Sequence, residues 1–238
     1  PEATLLRLAP EGGPVDYLPG QFLKVRLSDG ATRNFSMASP PGESALDLHV
    51  RRIPGGRFTD GMLGGLRPGD ALELELPHGG FFMRRQDVRP LLFAVTGTGL
   101  APVKAILESL LDDPDCPPVA LYRGARTEAE LYMDDTLRGW GGRLPDFRYV
   151  PVLSRAGAGW SGRRGHVQDA ALADFADLSG HAIYLCGSPA MIGAARRAFV
   201  AQGASGAHIY ADAFVRQADP TQPPSAARVT EAVAVPLD

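Results

Sequence analysis

The stretch RNFSMASP, residues 33–40, places a fixed cation, an aromatic ring and a hydroxyl on one extended segment. Neighbouring side chains of a β-strand point to opposite faces, so Arg33 and Phe35 share one face. Asn34 and Ser36 share the other. An arginine can bind a pyrophosphate, a ring can stack on a flat heterocycle, and a hydroxyl can hydrogen-bond at its edge. The stretch suits a flavin dinucleotide, although an ordinary strand with one exposed arginine has the same pattern.

The composition bounds the class of protein. The 238 residues are 45% hydrophobic with a net charge of -3, which fits one large or two modest globular domains. The low net charge and the lack of a basic stripe argue against nucleic acid as a partner. No apolar run approaches the ~18 residues of a membrane span, and no secretory signal opens the chain. We therefore expect a cytoplasmic protein with no nucleic-acid or membrane partner.

The cysteines and histidines argue against a metal centre in this chain. Cys116 and Cys186 are the two cysteines, which fits a reducing compartment and is too few for a four-cysteine iron–sulfur cluster. The five histidines do not fall at metal-ligand spacing, so we expect no metal site. The chain begins at Pro1, with strand-like sequence at once. We expect a fragment of a longer protein whose first strand is missing or cut short before Thr4.

The first third of the chain predicts β-structure. Apolar and polar residues alternate at period two in three segments, residues 22–27, 45–50 and 71–76. Turns rich in glycine and proline separate them. Short alternating strands between such turns predict a six-stranded antiparallel barrel, which we place at residues 1–88. Residues 59–66 predict one short helix within it.

From about residue 90 the pattern changes to alternating strands and helices. Continuous apolar runs, typical of buried parallel strands, predict strands at residues 91–95, 119–122, 149–153 and 182–186. Helix starts are indicated by a capping-box pattern at residues 127–130 and by Ser188 before Pro189. This rhythm predicts a doubly wound parallel sheet, a β + α/β protein overall. We place the second domain at residues 89–217 and a loose Pro/Ala-rich tail at residues 218–238.

The turn GTGLAP, residues 97–102, follows the first parallel strand and opens its helix. Gly97 and Gly99 allow a ligand to approach the main chain closely, and the helix start offers free N–H groups to a phosphate. The turn lacks the lysine of a Walker loop and the full glycine fingerprint of a dinucleotide fold. A plain tight turn between strand and helix is the alternative.

Two further motifs can likewise be interpreted either as ligand-binding or as purely structural. CGSPAM, residues 186–191, ends a later strand, and ligands of open α/β sheets bind outside the carboxyl ends of the strands. Taken alone, Cys186 is more typical of a buried small apolar residue. Gly55, Gly56 and Thr59 precede the predicted short helix. They suit an anion, and equally a glycine turn in a hairpin.

In this order and at this spacing, the four motifs resemble the ferredoxin–NADP reductase superfamily. The similarity runs from about Leu18 to Phe214 and is greater to the branch of oxygenase reductases and flavin reductases, which includes the CDP-6-deoxy-glucoseen reductase type. The resemblance implies an FAD-binding barrel followed by an NAD(P)H-binding domain. Phe35 stands where the family often has tyrosine, so a ring hydroxyl is lost and stacking is kept. Many relatives carry a [2Fe–2S] domain, which we expect only on a segment outside this chain.

The resemblance also implies residue roles. Arg33 would contact the flavin phosphates, Phe35 would lie against the ring, and Ser36 would hydrogen-bond near its N5. Cys186 would pack beside the nicotinamide rather than act as a nucleophile, and Asp212 would lie near the flavin ring. The candidate catalytic residues are therefore Ser36, Cys186 and Asp212. The other FAD residues implied are Asn34, His49, Val50, Arg51, Gly55, Gly56, Thr59 and Phe214. The other NAD(P)H residues implied are Gly97, Thr98, Gly99, Pro102, Arg123, Arg126, Gly187, Ser188 and Met191.

The implied activity is hydride transfer from NADH or NADPH to bound FAD, with electrons passed to an acceptor protein or a fused iron–sulfur domain. Two alternatives stay open: a reductase of freely diffusing flavin, and a non-catalytic flavin-binding redox sensor. The motif at residues 55–59 favours bound FAD, because a free-flavin enzyme needs no contact with the AMP half. Arg126 could bind a 2′-phosphate or only a ribose hydroxyl, and we lean to NADH. The acceptor and the oligomeric state leave no signal in the sequence.

Overall fold

The computed structural model describes residues 3–54, 56–215 and 227–236. The chain forms two compact units, one of residues 1–83, 101–109 and 216–238 and the other of residues 84–100 and 110–215. The strands are β1 Ala3–Pro10, β2 Phe22–Arg26, β3 Thr32–Ser36, β4 Leu46–Arg51, β5 Leu72–His78, β6 Leu91–Thr96, β7 Val119–Ala125, β8 Phe147–Leu153, β9 Arg163–Arg164, β10 Ala182–Gly187, β11 Ile209–Ala213 and β12 Ala227–Pro236. The α-helices are α1 Leu100–Glu108, α2 Asp134–Gly139, α3 Val167–Asp174 and α4 Pro189–Ala201. Within the described ranges, every helix is too short or too polar to cross a membrane.

The first unit is a six-stranded antiparallel sheet with the strand order β3-β2-β5-β12-β1-β4. Its two outer strands meet, because Met37 after β3 forms a bridge with Leu48 of β4. The adjacent Ala38 N–H donates a hydrogen bond to Asp47 O at 2.7 Å. The sheet therefore closes on itself, and the predicted six-stranded antiparallel barrel is confirmed.

Alternating residues of the strands fill this barrel. Leu23 and Val25 of β2 are fully buried, as are Leu6 and Leu8 of β1, and the residues between them are partly or fully exposed. Each buried aliphatic side chain contributes roughly 1.5–3 kcal/mol relative to an exposed one. The short helix expected at residues 59–66 is present as two helical turns, Arg57–Met62 and Leu63–Gly65.

Two expectations about the ends of the barrel are wrong. The first strand is not missing, since β1 runs from Ala3 to Pro10 and pairs with β4 and β12. The tail expected at residues 218–238 contains a strand, β12, which lies between β1 and β5. Val229, Val233 and Val235 are an even number of residues apart, as in a strand, but the Pro/Ala-rich composition of the segment masks this pattern in the sequence. Because β12 pairs with β1 on one side and with β5 on the other, it supplies main-chain hydrogen-bond partners that these two strands would otherwise lack.

The second unit is a six-stranded parallel sheet with the order β11-β10-β6-β7-β8-β9. Residues 91–95 of β6 and all of β10 are buried, as expected for strands covered on both faces. The sequence proceeds from β6 towards one edge and returns with β10 on the other side of β6. The predicted doubly wound sheet is confirmed.

The two predicted helix starts have different outcomes. Ser188 is the N-cap of α4, and its hydroxyl accepts a hydrogen bond from Met191 N–H at 3.2 Å. The pattern at residues 127–130 opens only one short helical turn, Glu128–Glu130, and the Thr127 side chain makes no capping hydrogen bond. Met133 then takes a left-handed φ of 62°, and the regular helix α2 begins after it.

Candidate cofactor-binding sites

The second unit reverses its winding between β6 and β10, which are neighbouring parallel strands. Ligands of open α/β sheets bind at such a switch point, outside the carboxyl ends of the strands. The turn Gly97–Gly99 directly follows β6, and Ser188 directly follows β10. Both predicted NAD(P)H motifs therefore lie at the switch point of this sheet.

Main chain packs against main chain where the two turns meet. A Cβ on Gly99 would lie 2.5 Å from Cys186 O, and a Cβ on Gly187 would lie 2.3 Å from Thr96 Oγ1. Gly187 also has a φ of +130°, which other residues rarely adopt. Thr96 Oγ1 accepts a hydrogen bond from Ser188 N–H at 3.1 Å. Apart from the Thr96 hydroxyl, main chain makes the contact between the turns, which suits a site that binds a dinucleotide phosphate through backbone groups.

Helix α4 begins at the second of these turns. Its 13 residues place the positive end of the helix dipole at the switch point, where a phosphate gains about 0.3–1 kcal/mol. The Ser188 hydroxyl is already used as the cap, and the Met191 side chain belongs to the core. For Met191 only the main chain is available to a ligand. Gly97 and Thr98 are half-buried, and Pro102 is buried in the first turn of α1.

Cys186 and Asp212 are register partners on β10 and β11. Cys186 is fully buried, and burial together with the charge of Asp212 raises the pKa of its thiol well above the usual range. Burial also raises the pKa of the Asp212 carboxyl. A thiol that stays protonated is a poor nucleophile, so Cys186 is suited to packing. The places of both residues beside the cofactors stay predictions.

Arg123, a predicted NAD(P)H residue, is enclosed within the second unit. It is 1% exposed and lies on the central strand β7. Its guanidinium donates hydrogen bonds to Tyr132 O and Glu130 O and stacks over the Tyr132 ring at 4.4 Å. The side chain is therefore held inside the unit by its neighbours, and the contact of Arg123 with NAD(P)H stays a prediction. The sequence pattern did not show this enclosure, because it depends on residues 130 and 132, which follow the strand.

Arg126 follows β7, the neighbour of β6, and its side chain is about half exposed. Its Nε pairs with Glu130 Oε1 at 2.6 Å, and its own N–H donates to Glu130 Oε2 at 3.0 Å. The guanidinium is therefore held by a carboxylate at the carboxyl edge of the sheet. Its contact with the adenosine ribose stays a prediction.

In the first unit, β3 carries the predicted flavin residues. Asn34 is exposed, Ser36 is buried, and Arg33 and Phe35 are half-buried. The Phe35 ring packs on Phe58 with 4.9 Å between ring centroids, which fixes the orientation of the ring. Arg33 Nη1 donates a hydrogen bond to Thr32 O at 2.8 Å. The strand thus presents a cation, a ring and a hydroxyl in adjacent positions, a donor set that fits a flavin dinucleotide.

Gly56 and Thr59 of the other predicted flavin motif lie at the start of the helical turn Arg57–Met62. A Cβ on Gly56 would lie 2.6 Å from Thr59 Oγ1, so these two residues are in close contact. The Thr59 hydroxyl donates to Ile53 O and accepts from Ile53 N–H, both at 3.0 Å. Thr59 therefore closes the turn, and its contact with a pyrophosphate stays a prediction. Gly55 lies outside the described residues.

The remaining flavin residues occupy β4 and the end of β11. His49 is buried, Arg51 is exposed, and the Val50 side chain lies in the barrel core, so Val50 offers only its main chain. Phe214 belongs to the second unit, and its N–H donates to Gly187 O at 2.8 Å. Contacts of these residues with FAD stay predictions.

Sequence reasoning missed three residues that hold these motifs in place. Thr96 joins the two turns of the second unit. In the first unit, Lys104 Nζ donates to Ala38 O at 3.0 Å, and Tyr17 OH donates to Ser39 O at 2.8 Å. Thr96 could have been found, since it directly precedes the glycine turn. Lys104 and Tyr17 are distant in sequence from the stretch they contact, and no local pattern marks them.

Comparison with known proteins assigns both units. The oxidoreductase FAD-binding domain family matches residues 3–83, and the oxidoreductase NAD-binding domain family matches residues 93–197. The chain therefore carries an FAD-binding and an NAD-binding domain, and the two expected cofactors are confirmed.

Three relatives illustrate the similarity. The chain is 37% identical over 217 residues to terephthalate 1,2-dioxygenase reductase component 1 from Comamonas sp, covering 90% of this chain and 64% of the relative. It is 37% identical over 211 residues to the CDP-6-deoxy-L-threo-D-glycero-4-hexulose-3-dehydrase reductase of Yersinia pestis, covering 88% and 63%. The crystal structure of Amycolatopsis cytochrome P450 reductase GcoB matches with a TM-score of 0.80 at 32% identity, covering 89% of this chain and 69% of that one. The chain thus spans less than two thirds of the two curated relatives.

The chain combines a closed antiparallel barrel that carries an FAD motif with a doubly wound sheet that carries a dinucleotide turn. These features define a flavin-dependent oxidoreductase that uses a nicotinamide cofactor. The chain belongs to the ferredoxin–NADP reductase superfamily, in the branch that contains reductase components of oxygenase systems. The resemblance drawn from its four motifs is confirmed.

Gly99→Ala tests the contact at the switch point. The added methyl group would overlap Cys186 O and force the two turns apart. We expect the dissociation constant for NADH to rise at least ~10-fold, which corresponds to about 1.4 kcal/mol. Isothermal titration of the FAD-loaded chain measures it. Gly139→Ala in the same unit is the matched control, since a Cβ there meets nothing within 4 Å. Unchanged NADH binding in Gly99→Ala would contradict this account of the turns.

Asp212→Asn tests the buried carboxyl. Because the pKa of the Asp212 carboxyl is higher in the folded than in the unfolded state, its ionised form destabilises the folded state. This destabilisation disappears at a pH low enough to protonate the carboxyl in the folded and the unfolded state alike. We therefore expect Asp212→Asn to be more stable than the wild type at pH 8, with the difference shrinking as the pH falls towards 4. Urea unfolding at several pH values measures it, with the exposed Asp115→Asn as control. A difference independent of pH would be the contrary result.

Proposed function

We propose that the chain transfers a hydride from a nicotinamide dinucleotide to bound FAD and that the electrons then pass to a separate acceptor. The observation that carries this proposal is the pair of matches to FAD-binding and NAD-binding oxidoreductase domains in one chain. One polypeptide that binds a hydride donor and a hydride acceptor has what this reaction needs. Bound FAD supplies the ability to accept a hydride and release electrons one at a time.

The chain's own residues bind and orient the two cofactors in this proposal. Arg33 holds the flavin phosphates, and the Ser36 hydroxyl makes a hydrogen bond at the edge of the ring. Cys186 contributes an uncharged, tightly packed surface, because its thiol stays protonated. Orientation of two reactants in this way can contribute up to ~7–11 kcal/mol to the lowering of a barrier.

We infer an iron–sulfur protein or domain as the electron acceptor. One relative, from Pseudomonas putida, is named as the ferredoxin–NAD(P)(+) reductase component of a naphthalene 1,2-dioxygenase system, and a ferredoxin is an iron–sulfur protein. Cys116 and Cys186 are both free and buried, which leaves them unsuited to hold an accessible cluster. Two unpaired thiols also favour a cytoplasmic location, where cysteines stay reduced.

We infer a preference for NADH over NADPH. Glu130 holds the Arg126 side chain with one carboxylate oxygen and the Arg126 N–H with the other. A carboxylate in this position neutralises the arginine and repels a 2′-phosphate. The ribose hydroxyls of NADH carry no such charge and are accepted without a penalty.

Ser36→Ala tests the hydride transfer. We expect NADH to bleach the FAD absorbance of the wild type under anaerobic conditions in a stopped-flow experiment. The variant should keep its FAD and react about 2- to 13-fold more slowly, from the roughly 0.5–1.5 kcal/mol of one hydrogen bond. Ser28→Ala, at an exposed turn, is the matched control. If neither NADH nor NADPH bleaches the wild type, the proposed function is wrong, and an unchanged rate in Ser36→Ala removes Ser36 from it.

Glu130→Gln tests the coenzyme preference. Removing the negative charge frees Arg126 for a 2′-phosphate, so kcat/KM for NADPH should rise several-fold while that for NADH changes little. Steady-state kinetics with an artificial electron acceptor give both values. Glu128→Gln in the same helical turn is exposed and serves as control. A wild type that already prefers NADPH would refute the preference.

A further inference from the structure

We propose that Lys104 is a positioning residue for the FAD-binding strand. Its ammonium group, paired with Glu108, fixes the main chain at Ala38 and thereby the part of the strand that carries Phe35 and Ser36. This inference rests on the proposed function, since it assigns Lys104 to the FAD site of that reaction. All the groups that it involves belong to the first unit.

Lys104 is a buried cation with a defined set of acceptors. The residue is 9% exposed, and its Nζ donates to Ala38 O at 3.0 Å and to Glu108 Oε2 at 2.6 Å. Glu108 lies one helical turn further along α1, the i,i+4 spacing at which two side chains meet. A buried ammonium is costly without such partners, so its position is set by these two oxygens.

Ala38 is the point at which the flavin strand leaves the barrel wall. Its N–H donates to Asp47 O at 2.7 Å, while its carbonyl accepts from Lys104. One residue earlier, Met37 N–H donates to Gln21 O at 3.1 Å. The main chain is thus held by strand β4, by the residue that precedes β2, and by helix α1. Because Ser36 is only two residues away on an extended segment, a shift at Ala38 moves Ser36 as well.

The segment after Ala38 has its own anchor. Tyr17 OH lies 2.8 Å from Ser39 O and 2.9 Å from Pro40 O, and burial raises the pKa of Tyr17 to about 12, so the hydroxyl keeps its proton. Ser39 Oγ in turn accepts from Asp47 N–H at 3.1 Å. Loss of the Lys104 contact therefore leaves Ser39 and Pro40 in place. We therefore expect the response to loss of Lys104 on the side of Ala38 that carries Phe35 and Ser36.

The charges around Glu108 explain why a lysine suits this position. Burial raises the pKa of the Glu108 carboxyl, and the charges of Asp47 and Glu43 act in the same direction. The ammonium of Lys104 opposes both effects. Asp47 is itself paired with Arg7 at 2.7 Å. A cation on α1 balances this acidic surrounding and at the same time supplies the donor for Ala38 O.

The experiment compares Lys104→Met, Lys104→Arg and Lys24→Met in the full chain. Methionine keeps the length of the side chain and removes its charge and its donors. Lys24→Met is the matched control, because it breaks a lysine–glutamate pair between β2 and β5, Lys24 to Glu75 at 3.3 Å, without touching Ala38. Two readouts need no nicotinamide: the FAD dissociation constant, and hydrogen exchange of the peptide covering residues 33–40 in the FAD-free chain. Visible circular dichroism of bound FAD reports the surroundings of its ring.

For Lys104→Met we expect at least ten-fold weaker FAD binding, faster exchange of residues 33–40 and a changed visible dichroism. Lys104→Arg should recover most of these properties, and Lys24→Met should match the wild type. Wild-type FAD binding and exchange in Lys104→Met would overturn the proposal. Should Lys104→Met not fold, Glu108→Gln decides: a two- to five-fold loss of FAD affinity with faster exchange supports it, and no change overturns it.

These outcomes are separate from those of the hydride-transfer experiment. FAD affinity and hydrogen exchange are measured without NADH, so they report on Lys104 even in a chain that NADH does not reduce. A wild type that binds FAD and is not reduced would refute the proposed function and leave the positioning role intact. The reverse result, normal reduction with an unaffected Lys104→Met, would refute the positioning role alone.

Discussion

The close contact between two turns at the carboxyl ends of β6 and β10 is the constraint on which the second unit depends. Gly99 meets Cys186 O, and Gly187 meets Thr96, at distances that leave no room for a Cβ. The contact fixes where α1 and α4 begin, and so directs the positive end of α4 towards the switch point. A dinucleotide site here is built mainly from backbone, which is why few of its side chains are conspicuous in the sequence.

The first unit depends instead on the closure of its six-stranded sheet into a barrel. Strand β3, which carries the flavin motif, is an outer strand of the sheet, and an outer strand normally has one side without partners. The bridge from Met37 to Leu48 and the hydrogen bond from Ala38 N–H to Asp47 O join it to β4. Lys104 adds a third contact to the same short stretch. The motif is therefore rigid at the end where Ser36 lies, as orientation of a flavin ring requires.

Buried charges of the second unit are satisfied in two different ways. In the second unit, the Asp174 carboxylate, 8% exposed, pairs with Arg148 at 2.7 Å and accepts from Tyr122 OH at 2.8 Å. Arg123 is satisfied by main-chain carbonyls and an aromatic ring. Partnered in this way, Arg123 stabilises the sheet. The enclosure of Arg123 shows that residue type and position in a strand do not reveal what surrounds a side chain.

The sequence by itself determined the two-domain architecture, most strands, the start of α4 and the four cofactor motifs, because periodicity, capping and glycine turns are local properties of the chain. Tertiary structure alone decided the place of β12, since its strand register depends on β1 and β5, far away in sequence. It also decided the enclosure of Arg123 and the contact of Lys104 with Ala38. These depend on which distant segments meet when the sheets form, and no local pattern encodes that.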